Sequence, residues 1–321
     1  MADGNHTLTA KSTTAIGNNA TSTAITITVD TTAPAAPTIV GPAEGTVVTT
    51  TTPTVSGMTE ALATVEVFEG ATSKGTVVAA ANGSWSLVSA ALTQGAHALT
   101  AKATDTVGNV SAASAARNLT VDSIAPVAPT IATPANGLVT NTDPIALTGA
   151  TEINATVTIS EAGLGLLGAT QANAAGSWSF TTAPLGEGAY SFTAAARDVA
   201  GNTGMSSLAV AVTIDKTPPS KPTIATPASG TLTNDETVDL TGTADANTLV
   251  EILETAVSLG TTTADGLGNW AFTTPALGNG QHPLKARAID AAGNASGNTN
   301  AVSVTVDISA PNAPIITTPA K

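Results

Sequence analysis

Residues 121–131 read VDSIAPVAPTI, and the same pattern occurs three more times along the chain. Its aspartate falls at Asp30, Asp122, Asp215 and Asp307, at intervals of 92, 93 and 92 residues. Three further landmarks keep the same order and period. They are a tryptophan (Trp85, Trp178, Trp270), an Asp-x-(Val/Ala)-Gly-Asn turn (Asp105, Asp198, Asp290) and an acidic residue (Glu60, Glu152, Asp245). A fixed period of this kind indicates an array of structural repeats.

The composition of the repeats indicates an all-β fold. Aromatic residues make up 2% of the chain and charged residues 10%, while Ala, Thr, Val, Gly, Ser and Asn dominate. Thr and Val favour strands, and the 29 Gly and 18 Pro favour turns and strand ends. Repeats of this length, with turn residues about every 8–12 positions, are typical of immunoglobulin-like sandwiches. We therefore predict tandem immunoglobulin-like β-sandwiches of about seven strands each, arranged end to end.

The period divides the chain into three complete repeats and two partial ones. We place the complete repeats at 31–122, 123–215 and 216–307, the C-terminal strands of a preceding repeat at 1–30, and the start of a following repeat at 308–321. The chain is therefore expected to be a window from a longer array. Within the first complete repeat, strands are expected near 38–49, 53–58, 63–69, 75–80, 84–89, 96–104 and 112–121.

Charge and residue content argue against several classes of partner. The formal net charge is −13, so we expect no binding to nucleic acid and no attraction to an anionic membrane. The chain has no Cys, which excludes disulfides and thiolate metal sites. No apolar run is long enough to span a membrane, so we expect no membrane insertion in this segment. The N-terminal residues lack the features of a signal peptide, so an export signal is expected elsewhere in a longer chain.

Carboxylates that are distant in sequence are expected to meet at each junction between repeats. In an immunoglobulin-like sandwich the chain enters at one end, where we also expect the B–C and F–G loops. Asp122 ends the first complete repeat, while Glu152 lies in the B–C loop and Asp198 opens the F–G turn of the second. The same reasoning groups the acidic residues of the other junctions: Asp30, Glu60 and Asp105 at the first, and Asp215, Asp245 and Asp290 at the third.

These groups of carboxylates predict a structural Ca²⁺ at each junction. Three carboxylates without a basic partner repel one another, and a hard cation with six to eight oxygen ligands would remove that repulsion. Loop carbonyls, water and the side chains of Asn109, Asn202 or Asn294 could complete the shell. The alternative is that each Asp only caps its own turn or lies in solvent. Thr14 replaces the turn aspartate in the preceding partial repeat, where the site is expected to be absent or altered.

Other features of the sequence do not indicate catalysis or a cofactor. Residues 163–168 match G-x-G-x-x-G, but no helix is expected after them, so we predict no dinucleotide site. His97 and His282 share a repeat position with Tyr190, which argues against a catalytic or metal-binding role for the histidines. The three tryptophans could stack on a sugar, but core packing is the favoured interpretation. No nucleophile–base pair is recognisable, so we expect no enzyme activity.

The VD-x-x-AP-x-AP linkers, the G-x-W strands and the D-x-x-GN turns together resemble bacterial Ig-like repeats of giant surface adhesins. That class includes the biofilm-associated protein family and large adhesins exported by type I secretion. The resemblance covers essentially the whole chain. It implies an extracellular stalk on the bacterial surface, with Ca²⁺ bound by the junction carboxylates.

We therefore expect a structural stalk segment that spaces a distal adhesive region from the cell, in cell adhesion or biofilm formation. Its partners would be the neighbouring repeats of the same chain, and it would behave as a monomeric rod. Two alternatives stay open at this point. The repeats could be spacers of a secreted polysaccharide-acting enzyme, or they could mediate homophilic cell–cell adhesion.

Overall fold

The structure, a computed structural model, describes residues 1–315. Within these residues the regular elements are all β-strands, so the predicted all-β fold class is confirmed. No helix in this range is long and apolar enough to cross a membrane. Part of the partial repeat expected at 308–321 lies outside the described residues. The chain divides into two compact units: Met1–Pro126 with Arg197–Gly204, and Val127–Ala196 with the residues from Met205 onward.

The first unit contains the N-terminal partial repeat and the first complete repeat. Two antiparallel strand pairs form the partial repeat: β1 (Gly4–Leu8) with β4 (Ile25–Val29), and β2 (Lys11–Thr13) with β3 (Asn19–Thr21). The first complete repeat consists of β5 (Thr38–Gly41), β6 (Thr46–Val48), β7 (Thr54–Met58), β8 (Thr64–Glu69), β9 (Thr72–Val78), β10 (Ser84–Val88), β11 (Gly95–Thr104) and β12 (Arg117–Val121). Its two sheets have the strand orders β10-β7-β5 and β6-β12-β11-β8-β9.

Most of the second complete repeat, and all of the third, belong to the second unit. The second repeat contains β13 (Thr130–Thr133), β14 (Leu138–Thr140), β15 (Ala146–Ala150), β16 (Thr156–Glu161), β17 (Gly165–Gln171), β18 (Ser177–Thr181), β19 (Gly188–Arg197), β20 (Thr203–Ser206) and β21 (Val210–Ile214). The third contains β22 (Thr223–Thr226), β23 (Thr231–Thr233), β24 (Asp239–Thr243), β25 (Leu249–Glu254), β26 (Val257–Thr263), β27 (Asn269–Thr273), β28 (Gly280–Ile289) and β29 (Val302–Val306). Each repeat again has a three-stranded sheet, β13-β15-β18 or β22-β24-β27, and a larger sheet.

The first expected strand of the repeat, at 38–49, is wrong as a single element. The structure divides it into β5 and β6, which belong to different sheets. Pro42 follows β5 and has no N–H to donate, and Gly45 adopts a φ of +71°, so the chain turns between the sheets. The strand β6 then pairs in parallel with the last strand, Thr46 opposite Leu119 and Val48 opposite Val121. The same parallel pairing joins β14 to β21 and β23 to β29.

The expected last strand, at 112–121, begins five residues too early, because β12 starts at Arg117. Before Arg117, side-chain hydroxyls accept some of the backbone hydrogen bonds that a paired strand would otherwise accept. The hydroxyls of Ser111 and Ser114 accept hydrogen bonds from the backbone N–H groups of Ala103 and Ala101. The other five expected strands match observed strands to within three residues at each end.

Each complete repeat has its own apolar core between its two sheets, built mainly from Val, Leu, Ile and Ala. The alternation of buried and exposed residues along the strands is the period of two that a half-buried sheet requires. Trp85, Trp178 and Trp270 are only 3–4% exposed and belong to these cores, which confirms their predicted packing role.

Each core tryptophan lies directly opposite a glycine on the neighbouring strand. Trp270 on β27 pairs with Gly242 on β24. A Cβ atom at Gly242 would lie 1.9 Å from the Thr223 carbonyl oxygen and 2.5 Å from Cζ2 of Trp270. The sheet therefore leaves no room for a side chain beneath the indole. The pairs Gly57–Trp85 and Gly149–Trp178 repeat this arrangement.

Candidate functional site: the linkers between repeats

The Asp-x-x-Gly-Asn turn that follows the longest strand of each repeat is organised by its aspartate. Asp105 Oδ1 accepts hydrogen bonds from the N–H groups of Val107, Gly108 and Asn109 at 2.7–2.9 Å. Its Oδ2 accepts one from Asn109 Nδ2 at 2.8 Å. The turn thus satisfies backbone donors with a buried carboxylate. Asp198 with Asn202, and Asp290 with Asn294, make the corresponding contacts.

Two opposing effects act on the pKa of these aspartates. Desolvation raises the pKa of Asp198, but hydrogen bonds from the Asn202 side chain and from the backbone of the turn lower it by more. The net result is a pKa below the ordinary value of 3.8. The same balance lowers the pKa of Asp105 and of Asp290. All three groups are therefore held in the ionised form near neutral pH.

This pKa shift predicts an acid limb in the stability of the repeats. Because the folded pKa lies below the unfolded one, the stabilisation is complete above the unfolded value of about 3.8. It is lost as the pH falls through the folded pKa. We expect the urea concentration at the midpoint of unfolding, measured from pH 6 to pH 2, to decrease once the pH is below 4. In an Asp198→Asn variant, the part of this fall that comes from the second repeat should disappear. An unchanged pH profile in that variant would contradict the assignment.

The asparagine at the end of each turn also reaches the linker before its own repeat. Asn109 Nδ2 donates to the carbonyl oxygen of Asp30 at 3.1 Å. Asn202 Nδ2 reaches Asp122 O at 2.9 Å, and Asn294 Nδ2 reaches Asp215 O at 2.8 Å. A single side-chain amide thus joins the turn carboxylate to the linker backbone. We call this arrangement of turn aspartate, asparagine and linker carbonyl the asparagine clasp.

The asparagine clasp brings together two of the three acidic residues that were grouped at each junction. They are Asp30 with Asp105, Asp122 with Asp198, and Asp215 with Asp290, and each pair lies within one compact unit. The carboxylates of the linker aspartates themselves cap the N–H of the residue two positions later. The distance from the aspartate Oδ1 to the backbone nitrogen is 3.0 Å for Asp30 with Thr32, 3.4 Å for Asp122 with Ile124 and 3.0 Å for Asp215 with Thr217.

The third acidic residue of each group is exposed and lies before the strand that follows the B–C loop. Of these three residues, Asp245 makes a side-chain hydrogen bond to a linker: its Oδ2 accepts the N–H of Ser220 at 2.6 Å. The backbone carbonyls of Glu60 and Glu152 accept N–H groups within their own loops, from Ala63 and Ala155. Asp245 therefore contacts the linker in a way that the two glutamates do not share.

The oxygen atoms of the clasp fit a hard cation only in part. Asp105 Oδ2 and Asp30 O converge on one point, which the Asn109 amide nitrogen fills, at 2.8 and 3.1 Å. Ca²⁺ takes six to eight oxygens at about 2.3–2.6 Å, so these two supply a fraction of a shell. Among residues 1–315, no three His, Cys, Asp or Glu side chains are placed so that they could hold a metal ion. Calcium at the junctions stays a prediction, and it would require the asparagine amide to turn its oxygen inward.

Each linker also makes a second contact, in which a side chain of the preceding repeat binds the linker backbone. The sequence landmarks did not reveal this contact. The residue before the glycine that opens β1, β11, β19 or β28 caps the linker. Gln94 Oε1 accepts the N–H of Ser123 at 3.0 Å, and Asn279 Oδ1 accepts that of Ile308 at 2.7 Å. Asp3 and Glu187 do the same for Thr31 and Lys216. The recurring pattern (Asp/Gln/Glu/Asn)-Gly-x-(His/Tyr) could have identified this exit cap.

The His/Tyr position of that pattern has a structural role. His97 Nε2 lies 2.8 Å from the carbonyl oxygen of Thr93, and His282 Nε2 lies 2.7 Å from that of Gly278. Tyr190 places its hydroxyl 2.7 Å from the carbonyl oxygen of Leu185. Both residue types bind the backbone just before their own strand, as the tyrosine corner of immunoglobulin-like domains does. This shared contact explains how Tyr can replace His.

Comparison with protein-family models identifies the fold family. A model described as "Bacterial Ig-like domain" matches residues 41–123, 132–216 and 225–308, and one described as "Bacterial Ig-like domain (group 3)" matches residues 175–265. The chain therefore belongs to the bacterial Ig-like domain family. Domains of this kind are typically non-catalytic structural modules. A search of curated proteins finds no match.

Solved structures that are similar to this chain match it at low sequence identity and low TM-score. Fibronectin(III)-like modules of Clostridium thermocellum CbhA are 19% identical, with 56% of this chain and 94% of that chain covered and a TM-score of 0.38. A BSP domain of a biofilm-associated protein is 12% identical, with 87% and 66% covered and a TM-score of 0.25. Bacteroides ovatus SGBP-B, solved with a mixed-linkage heptasaccharide, is 15% identical, with 84% and 70% covered and a TM-score of 0.21. Likenesses of this size do not bear on function.

Proposed function

We propose that this chain is a stalk segment of a large extracellular bacterial adhesin, which spaces a distal adhesive region from the cell surface in adhesion or biofilm formation. A tandem array of bacterial Ig-like domains supports an adhesin-like or spacer role. The observation that carries the proposal is that the linkers after Asp30, Asp122 and Asp215 are each held by both an exit cap and an asparagine clasp. A spacer needs such held linkers, whereas a flexible tether does not.

Proline content supports the same function. Each linker carries two prolines three positions apart, such as Pro126 with Pro129, and the linker after Asp215 also has the adjacent pair Pro218 and Pro219. Proline fixes φ near −65° and lacks a donor, so the linker has few alternative conformations even before the side chains hold it. A ten-residue strand such as β11 extends about 33 Å at 3.3 Å per residue. Each added repeat would therefore contribute a reach of that order.

Calcium at the junctions is part of the proposal. The ligands would be the nine acidic residues predicted from the sequence, three at each junction. Asp30 O and Asp105 Oδ2 converge on one asparagine amide, and this convergence of hard oxygens on one point supports the location. Extracellular modules bind Ca²⁺ with a Kd on the order of 10⁻⁴–10⁻³ M. Millimolar calcium would then stiffen the stalk, and its removal would leave the asparagine clasps to hold each linker to the following repeat, together with the Asp245–Ser220 contact at the third junction.

The spacer proposal predicts a stiff monomer in solution. Small-angle scattering of the chain with about 2 mM Ca²⁺ should give an elongated particle of monomer mass whose maximum dimension does not depend on protein concentration. Excess chelator should shorten this dimension or broaden the distance distribution. An elongated profile that is identical with and without chelator would remove calcium from the proposal and keep the spacer. A compact or concentration-dependent particle would contradict the spacer itself.

Calcium stoichiometry separates the proposed ligands from bystanders. The wild-type chain should bind about three Ca²⁺ ions, and Asp198→Ala should bind one fewer, measured by calorimetric titration. The control is Asp235→Ala, which removes an exposed carboxylate that is not among the nine proposed ligands. If Asp198→Ala binds as many ions as the wild type, Asp198 is not a ligand.

A further inference from the structure

The four exit caps differ in chemistry, and that of the second repeat is the most highly charged. Glu187 Oε1 accepts the N–H of Lys216 at 2.7 Å and the hydroxyl of Thr217 at 2.8 Å. Lys216 and Thr217 are the first two residues after the linker aspartate Asp215. The side chain of Lys216 extends in another direction, and its Nζ lies 2.8 Å from Oδ2 of Asp143. Backbone and side chain of one linker residue are thus held by two different carboxylates.

Asp143 is the anchor of this arrangement. Its side chain is 1% exposed, whereas that of Lys216 is 45% exposed. Besides Lys216, the carboxylate accepts the N–H groups of Leu185 and Gly186, at 2.9 and 3.1 Å. The Lys216 ammonium and these N–H groups lower the pKa of Asp143 to about 2. Asp143 therefore joins the segment before Glu187 to the linker.

The other two complete repeats lack this arrangement. Thr51 and Glu236 stand at the position of Asp143 in the repeat alignment, and Ser123 and Ile308 at that of Lys216. There the backbone carbonyls of Thr51 and Glu236 accept the N–H groups of Leu92 and Leu277 instead. Gln94 and Asn279 then cap their linkers with neutral amides.

We infer that Asp143, Lys216 and Glu187 form an ionic lock that fixes the path of the linker leaving the second repeat. The inference deepens the proposed spacer function, because it assigns one linker a stiffness that depends on the ion pair between Lys216 and Asp143. Lys216 and Glu187 are positioning residues: Glu187 fixes the backbone of the linker, and Lys216 ties that backbone to the buried Asp143. Linkers with amide caps hold their path without this dependence on charge.

Distance measurements by pulsed electron spin resonance test the lock on the full chain. The chain has no Cys, so two introduced cysteines are the only labelling sites. One labelled pair reports on the linker between the second and third repeats, and another on the linker between the first and second. We expect Glu187→Ala and Lys216→Met each to broaden the distance distribution across the second-to-third linker at least twofold. The first-to-second linker should keep its width in both variants.

Two further variants distinguish the lock from a general loss of structure. Glu187→Gln should keep the narrow distribution, because an amide oxygen can accept the Lys216 N–H as Gln94 accepts that of Ser123, and the ion pair of Lys216 with Asp143 is retained. Lys221→Met is the control, because it removes an exposed positive charge five residues further along the chain. In Lys216→Met, the pKa of Asp143, followed by carboxyl chemical shifts, should rise from about 2 toward its ordinary value of 3.8.

The outcomes separate this inference from the spacer proposal. Narrow wild-type distributions that stay narrow in both Glu187→Ala and Lys216→Met would overturn the lock and leave the spacer standing. Broad wild-type distributions across both linkers would contradict the spacer proposal. Equal broadening in Lys216→Met and Lys221→Met would also overturn the lock, because the effect would then follow net charge and not the contact with Asp143.

Discussion

Gly242→Ala is expected to unfold the third repeat or to destabilise it by about 3 kcal/mol or more, at or beyond the upper end of typical overpacking costs. The added methyl group would collide with the Thr223 carbonyl oxygen and with the Trp270 ring, at 1.9 and 2.5 Å. The first of these contacts is with backbone, which cannot rotate away. Relief would require β22 to separate from β24 or the indole to leave the core, and both outcomes expose apolar surface.

The change can be localised because each complete repeat has its own apolar core. Hydrogen exchange followed by mass spectrometry should show lost protection in β22, β24 and β27, and wild-type protection in the first repeat. Gly266→Ala is the matched control in the same repeat, since nothing lies within 4 Å of its added Cβ. Equal protection in both variants would show that the sheet has room beneath Trp270.

Asp198→Ala is expected to have the second largest effect, about 2–3 kcal/mol on the unfolding of the second repeat, because hydrogen bonds to charged groups are worth about 1.5–3 kcal/mol. The substitution leaves the N–H groups of Gly201 and Asn202 without their carboxylate, and Asn202 Nδ2 without one of its three acceptors. The asparagine clasp would then depend on a side chain that is no longer oriented. A lowered urea midpoint with an unchanged slope checks this expectation.

The N-terminal partial repeat supplies a natural comparison for that variant. Thr14 occupies the aspartate position there, and its hydroxyl accepts the N–H of Asn18 at 3.1 Å. Asp198→Thr should therefore recover part of the lost stability, because one backbone donor regains an acceptor. It should not recover the contact with Asn202 Nδ2. If Asp198→Thr is as unstable as Asp198→Ala, the turn depends on charge and not on an acceptor alone.

The composition predicted the all-β class, because Thr and Val favour strands while Gly and Pro favour turns, and the repeat period predicted the division into units. The division of 38–49 into two strands was not predictable from alternation, since both halves read as Thr- and Val-rich strand sequence. Sheet assignment is decided by which neighbour pairs with Thr46–Val48, and that neighbour lies over seventy residues away. Long-range pairing of this kind leaves no local pattern.

At the candidate site, too, the contacts within one turn could be predicted from the sequence, whereas the contacts between distant segments could not. Asp198 was identified because its turn motif recurs, and its neighbours in the turn are its partners in the structure. The double role of Asn202, which binds both Asp198 and the Asp122 carbonyl, depends on two segments about eighty residues apart. The cap by Glu187 was missed because Asp, Gln, Glu and Asn share an acceptor oxygen but not a residue identity. A search for the shared chemistry before a recurring glycine would have found it.

The parallel pairing of β6 with β12 has a consequence for a protein under tension. A pull on the two ends of the repeat draws these neighbouring strands in opposite directions along their own axes. The contacts Thr46–Leu119, Val47–Thr120 and Val48–Val121 would then be loaded together in shear, whereas a hairpin pulled open at its end breaks its hydrogen bonds one after another. Because β14 with β21 and β23 with β29 are built in the same way, every complete repeat meets a tensile force with several bonds at once.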